Sequence, residues 1–96
     1  MPRPERPLDP QAGPVESFAA DLRRLRHGAG SPTYRRLEHR AGYSRTSLSD
    51  AARGHRLASL PVVLAYVRAC GGDPAPWAAR WRRVAAELAE SRGRPG

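Results

Sequence analysis

The twenty residues from 34 to 53 constrain the fold more than any other part of the chain. They hold two short segments whose apolar residues recur at helical spacing, and Gly42 lies between them. Glycine suits a sharp turn there because it takes a positive φ without strain. The apolar positions of the two segments are Leu37, Ala41, Tyr43, Leu48 and Ala51. This spacing predicts two helices that cross at a steep angle and share one small core.

Serines and a proline mark where the two helices of this pair begin. Ser31 is predicted to cap the earlier helix, with Pro32 at its first position, where a missing N–H costs least. Ser44 is predicted to cap the later helix, which fades by Gly54. Both helices are therefore expected to be short.

Another helix is predicted ahead of the pair, from about Val15 to His27, with Gly28 and Gly30 at its end. Its apolar residues recur at i, i+3, i+7 and i+10, a spacing that forms one helical stripe. They are Val15, Phe18, Leu22 and Leu25. This stripe is expected to face the core.

Two more helices are predicted after the pair. Ser59 caps the fourth, which Gly71 and Gly72 end, and Asp73 with Pro74 opens the fifth. The fourth is the most apolar segment and is expected to be the central buried helix; its apolar residues are Leu60, Val63, Leu64, Val67 and Cys70. The fifth carries Trp77, Trp81, Val84 and Leu88 on one face. This tryptophan face either completes the core, which we favour, or forms a dimer seam.

The chain shows no strand pattern and no internal repeat, so the predicted fold class is all-α, a bundle of five helices in one domain over residues 14–90. Residues 1–13 are rich in proline, polar and without period, and they are predicted to form a disordered tail. Residues 91–96 are predicted to be a disordered end or a linker.

The charge of the chain narrows the choice of partner. The net charge is +8, and all 17 basic residues are arginines. Lysine, isoleucine and asparagine are all absent, which a GC-rich genome explains better than selection for arginine. The positive charge itself favours a polyanionic partner.

The third helix has a polar face opposite its small apolar face. Forked and short polar side chains at such positions can reach base edges in a DNA major groove, and arginine can pair bidentately with guanine. The candidate base-reading residues, named the reading face below, are Arg45, Thr46, Ser49, Asp50 and Arg53. The carboxylate of Asp50 could accept from cytosine, pair internally with Arg53, or mean that the face does not read DNA.

Basic and hydroxyl residues flank this helix on both sides. They could bind backbone phosphates, which position a protein on DNA without reading its sequence. The candidate phosphate-binding residues are Thr33, Arg35, Arg36, Arg40, Tyr43, Ser47 and Arg56. The alternative is a solvated basic face without a ligand.

Residues 15 to about 86 resemble helix-turn-helix domains of the lambda-repressor/Cro-like, or XRE-type, superfamily, in the form common in actinobacteria. The segments that carry the resemblance are LRRLR, YRRLEHRAGYS, LPVVLAYVRACGGDP and WAARW. The resemblance implies a five-helix lambda-repressor-like bundle whose third helix enters the major groove, in a transcriptional regulator or at the N-terminus of a larger signalling protein. Two residues depart from the family pattern. Glu38 stands where a small residue usually packs, and Asp50 puts a carboxylate on the reading face.

No enzyme, metal or cofactor is expected. The three histidines and Cys70 lack the spacing of zinc ligands, and no nucleophile pattern or phosphate-binding loop is present. No apolar run approaches the length that spans a bilayer, and the N-terminus does not resemble a signal peptide. We therefore expect a cytoplasmic, nucleoid-associated protein.

The function favoured by these patterns is that of a DNA-binding transcriptional regulator whose partner is double-stranded DNA. The alternative is a protein-interaction or signalling module that keeps the fold without reading sequence. Whether the protein forms a homodimer, and whether it is part of a larger protein, both stay open.

Overall fold

The computed structural model describes residues 5–93, and within that range it contains five α-helices and no β-strand. The helices are α1 (Pro14–Gly28), α2 (Tyr34–Ala41), α3 (Arg45–Ala51), α4 (Leu60–Ala69) and α5 (Pro74–Gly93). The predicted all-α class with five helices is confirmed.

Helix α4 lies at the centre of the bundle and packs against each of the other four helices. Its residues Val63, Tyr66 and Val67 are fully buried, and Cys70 follows them into the core. The predicted role of this helix is confirmed. Tyr66 was not predicted as a core residue, yet it is the largest fully buried side chain among the described residues.

The helices α1 and α5 pack against each other and against α4. Phe18 and Leu22 of α1 are buried, as the predicted stripe requires. The Phe18 ring meets Trp77 edge to face with centroids 5.6 Å apart, a favoured aromatic geometry. The Trp81 Nε1–H donates to the Ala58 carbonyl at 2.8 Å. The interpretation that the tryptophans complete the core is confirmed.

The predicted caps are correct at α3 and wrong at α2. The Ser44 hydroxyl accepts from the Ser47 N–H at 3.1 Å, as predicted. At α2 the cap is Thr33, whose side chain accepts from the Arg36 N–H at 3.2 Å. Ser31 has a left-handed φ of 53°, and its N–H donates to the Arg26 carbonyl. Ser31 therefore belongs to the closing turn of α1 instead.

Ser59 and Asp73 precede α4 and α5 as predicted, but only one of them makes a cap bond. The Asp73 carboxylate accepts from the Ala75 N–H at 3.1 Å. Ser59 occupies the N-cap position of α4 without a side-chain hydrogen bond.

The two ends of the domain carry more structure than the sequence indicates. Helix α5 continues through Gly93, into the stretch predicted as an end or linker, while residues 94–96 lie outside the described part. Of the predicted tail, residues 1–4 lie outside the described part. Residues 5–13, called the N-terminal segment below, fold back along α1. The Glu5 carboxylate at the start of this segment contacts Arg23 and Arg26 near the end of that helix.

Candidate nucleic-acid interface

Helices α2 and α3 are joined by a tight turn whose geometry depends on one glycine. Gly42 ends α2 with a left-handed φ of 75°, and its N–H donates to the Glu38 carbonyl. Leu37 on α2 and Leu48 on α3 are each 0% exposed. These two leucines hold the helices against α4 and leave the opposite side of α3 uncovered.

The five residues of the reading face lie on this uncovered side and differ in how exposed they are. Arg45, Thr46 and Arg53 are exposed, and Ser49 and Asp50 are half-buried. All but Arg53 lie within α3, and Arg53 follows its C-cap directly. The exposed members are the forked and hydroxyl groups that base edges accept.

Asp50 pairs internally with Arg53. The Arg53 Nη1 lies 3.2 Å from the Asp50 Oδ1, and the two side chains are 59% and 43% exposed. An exposed pair of this kind contributes at most about 1 kcal/mol. The pairing is therefore weak enough for a base or a phosphate to replace it.

Glu38 holds the start of α3, a contact that sequence analysis missed. Its Oε2 accepts from the Arg45 backbone N–H at 2.7 Å and lies 3.9 Å from the Arg45 Nε. The first N–H groups of a helix have no partner within the helix, so a carboxylate there satisfies one of them and favours the positive end of the helix dipole. Glu38, where the resemblance implies a small residue, thus has a structural role.

The candidate phosphate-binding residues divide into three groups. Arg35, Arg36 and Arg56 are exposed, and their guanidinium groups make no hydrogen bond to a described residue. The Thr33 and Ser47 hydroxyls make local contacts at the starts of α2 and α3.

Arg40 and Tyr43 lie toward α4. The Arg40 Nη1 donates to the Ala69 carbonyl at 3.2 Å, and Tyr43 is 37% exposed. Both residues border a shallow groove that also contacts Leu60, Leu64 and Arg68. The structure therefore separates these two residues from the start of α2.

A second polar cluster lies at the far end of α3, and sequence analysis missed it as well. The Arg23 Nε donates to the Ala52 carbonyl at 2.6 Å. The Glu5 carboxylate accepts from Arg26 Nη2 and from the Tyr34 hydroxyl, each at 2.8 Å. A carboxylate in a proline-rich stretch and two arginines in the predicted first helix were the available signals, but nothing in the sequence paired them.

The tyrosines of this cluster are held neutral. Burial is the main reason why the pKa of Tyr34 is raised to about 12, and burial also raises the pKa of Tyr66. Burial raises the pKa of Glu5 too, but the hydrogen bonds from Arg26 and Tyr34 outweigh it and hold that pKa below its ordinary value. The surroundings of Glu5 therefore favour an anion.

The described residues include no group of three histidine, cysteine or acidic side chains able to hold a metal ion. Cys70 is a free, buried thiol whose pKa burial raises, in keeping with the predicted core role. In residues 5–93, no helix has the length and apolar character needed to cross a membrane.

Comparison with known proteins gives one family. No curated protein sequence and no solved structure gave a significant match. A family model described as a helix-turn-helix domain matches residues 17–79, or 63 of the 96 residues. The matched range spans most of α1, all of α2 to α4 and the start of α5, and it contains the α2–α3 pair with its turn at Gly42. The chain belongs to the helix-turn-helix domain family.

Proposed function

We propose that this protein is a DNA-binding transcriptional regulator that inserts α3 into the major groove. The observation that carries the proposal is the two-sided character of α3. Leu48 fixes one side in the core, while Arg45, Thr46 and Arg53 are exposed on the other. An arginine pair with a guanine supplies about 1–3 kcal/mol of discrimination.

The residues around α3 supply the contacts that do not depend on sequence. Arg35, Arg36 and Arg56 are exposed cations before and after the helix, on a chain with a net charge of +8. Thr33, Arg40, Tyr43 and Ser47 are further candidates. The lambda-repressor-like, actinobacterial resemblance and a location on the nucleoid belong to the same proposal.

Fluorescence anisotropy with labelled duplex DNA at two salt concentrations tests binding. Because phosphate contacts release counterions, affinity should fall steeply with salt, with a log–log slope of several units. Absence of binding at low salt would contradict the proposal.

Selection of bound fragments from a random DNA pool then tests specificity. Arg45→Ala and Arg53→Ala should each flatten discrimination by about 1–3 kcal/mol. The matched control is Arg36→Ala, which should weaken binding to every sequence about equally. Similar behaviour of all three variants would mean that α3 does not read bases.

The second candidate function is a protein-interaction module that keeps the fold. The observation that favours it is the Asp50–Arg53 pair, which neutralises one of the two arginines of the reading face. Under this alternative, the protein would show at most weak DNA binding that is equal for all sequences.

A further inference from the structure

The cluster at the far end of α3 binds an oxyanion of the chain itself, the Glu5 carboxylate. Two donors converge on this carboxylate, Arg26 Nη2 and the Tyr34 hydroxyl, each at 2.8 Å. Arg23 adds a positive charge, with its Nε 3.4 Å from the Glu5 Oε2. Charge-assisted hydrogen bonds from arginine are stronger than neutral ones, and arginine is over-represented where proteins bind carboxylate or phosphate.

The folded domain holds these donors in place without help from Glu5. The Arg26 Nη1 donates to the Pro32 carbonyl at 2.8 Å, and its guanidinium stacks on the Tyr34 ring at 4.7 Å. Arg23 is fixed by the Ala52 carbonyl at the end of α3. The site is thus preorganised by α1 and α2, and one donor of Arg26, its Nε, is buried without an acceptor among the described residues.

The N-terminal segment that brings Glu5 to this site also borders the reading face. Together they line a cleft of about 630 Å³ that includes Ser49 and Arg53. The Leu8 side chain of this segment lies directly against Gly54. A Cβ added to that glycine would lie 2.5 Å from the Leu8 Cδ1. The oxyanion site and the reading face are therefore neighbours on one surface.

We propose that Arg23, Arg26 and the Tyr34 hydroxyl form a binding site for a DNA backbone phosphate, and that Glu5 occupies this site in the free protein. A phosphodiester carries the same single negative charge as the carboxylate and offers two oxygens to the same donors. Binding of DNA exchanges one anion for the other and releases the N-terminal segment. This inference rests on the proposed function, since it assigns a further contact to the same interface.

The test compares Glu5→Gln with Glu90→Gln. Both variants raise the net charge equally, but Glu90 is exposed on α5, far from the cluster in sequence. Glu5→Gln should bind random duplex DNA about five- to tenfold more tightly at 0.1 M salt than Glu90→Gln. Its salt slope should be steeper by about 0.9, the value for one added phosphate contact. Adding Tyr34→Phe to Glu5→Gln should remove most of this gain, because the ring stays and only the donor is lost.

The outcomes separate the two proposals. If wild type and Glu90→Gln bind DNA but Glu5→Gln binds no more tightly than Glu90→Gln, the phosphate site is wrong and the proposed function stands. If no variant binds at low salt, both proposals are wrong.

A second measurement uses the wild-type protein and needs no variant to fold. The nuclear Overhauser effect between the Leu8 methyl groups and Gly54 should be present in the free protein and lost on saturation with duplex DNA. Its persistence in the complex would overturn the exchange. Its loss on addition of inorganic phosphate alone, at constant ionic strength, would assign the site to a free anion and likewise overturn the proposal.

Discussion

Helices α3 and α4 are held in the bundle by different means. Helix α4 is buried by apolar side chains that contact all four other helices. Helix α3 has one large buried residue, Leu48, and polar bonds to neighbours at both ends. Glu38 holds its first N–H, and Arg23 holds the carbonyl of its C-cap, Ala52.

The difference follows from what each helix leaves uncovered. A helix that leaves one side exposed buries fewer apolar side chains. The bonds at its ends then determine its position. The variants below test whether α3 depends on one apolar contact and two polar ones.

The largest loss of stability is expected on truncation of Leu48, the apolar residue that anchors α3 in the core. Leu48→Ala should lower the free energy of unfolding by about 2–5 kcal/mol, the range for truncating a buried leucine. Because a small domain has about 5–15 kcal/mol in total, DNA binding should fail together with thermal stability. Circular-dichroism melting and DNA titration measure the two effects.

Leu64→Ala is the matched control, since it makes the same change on a half-buried residue of α4. It should cost less than Leu48→Ala, because less apolar surface is removed from the core. An equal or larger loss of stability in Leu64→Ala would mean that α3 does not depend on Leu48 more than α4 depends on a half-buried leucine.

A smaller loss of stability is expected when the hydrogen bond between Glu38 and the Arg45 N–H is removed. Glu38→Ala removes the acceptor of the Arg45 N–H and should cost about 0.5–2 kcal/mol, the range for losing a helix cap. Glu38→Gln keeps an acceptor and should cost less. Urea denaturation measures both variants, and equal losses would show that the carboxylate charge, not the bond, holds the start of α3.

The cluster at the other end of α3 should depend on pH. The folded protein holds the pKa of Glu5 below its ordinary value. Its stabilising contribution is therefore present above the pKa of the unfolded chain and is lost as the pH falls through the folded value. Wild type should be more stable than Glu5→Gln at pH 7, and this difference should shrink as the pH falls below about 4. Melting curves at the two pH values check this, and a constant difference would contradict it.

The smallest effect on stability is expected at the exposed pair on the reading face. Asp50→Ala removes the partner of Arg53 and should change the free energy of unfolding by less than about 1 kcal/mol. Affinity for random duplex DNA should rise, because a carboxylate that repels phosphate is removed. If affinity for the best selected site falls instead, Asp50 reads a cytosine.

The sequence alone determined the features that depend on neighbouring residues along the chain. The apolar spacing located all five helices, Gly42 marked the turn, and Ser44 marked the start of α3. The same spacing placed Leu48 among the core positions of the pair and identified α4 as the central helix. These predictions succeeded because helical period, caps and turns are short-range properties.

The tertiary structure alone decided the contacts between residues far apart in the chain. Glu38 reaches the backbone of Arg45 across a turn, and Glu5 meets Tyr34, 29 residues away. Tyr66 is fully buried, and its hydroxyl lies 3.4 Å from that of Tyr34, a pairing that no local pattern indicates. Whether a polar side chain faces solvent or a partner depends on which helices pack together, and that arrangement exists only in the folded bundle.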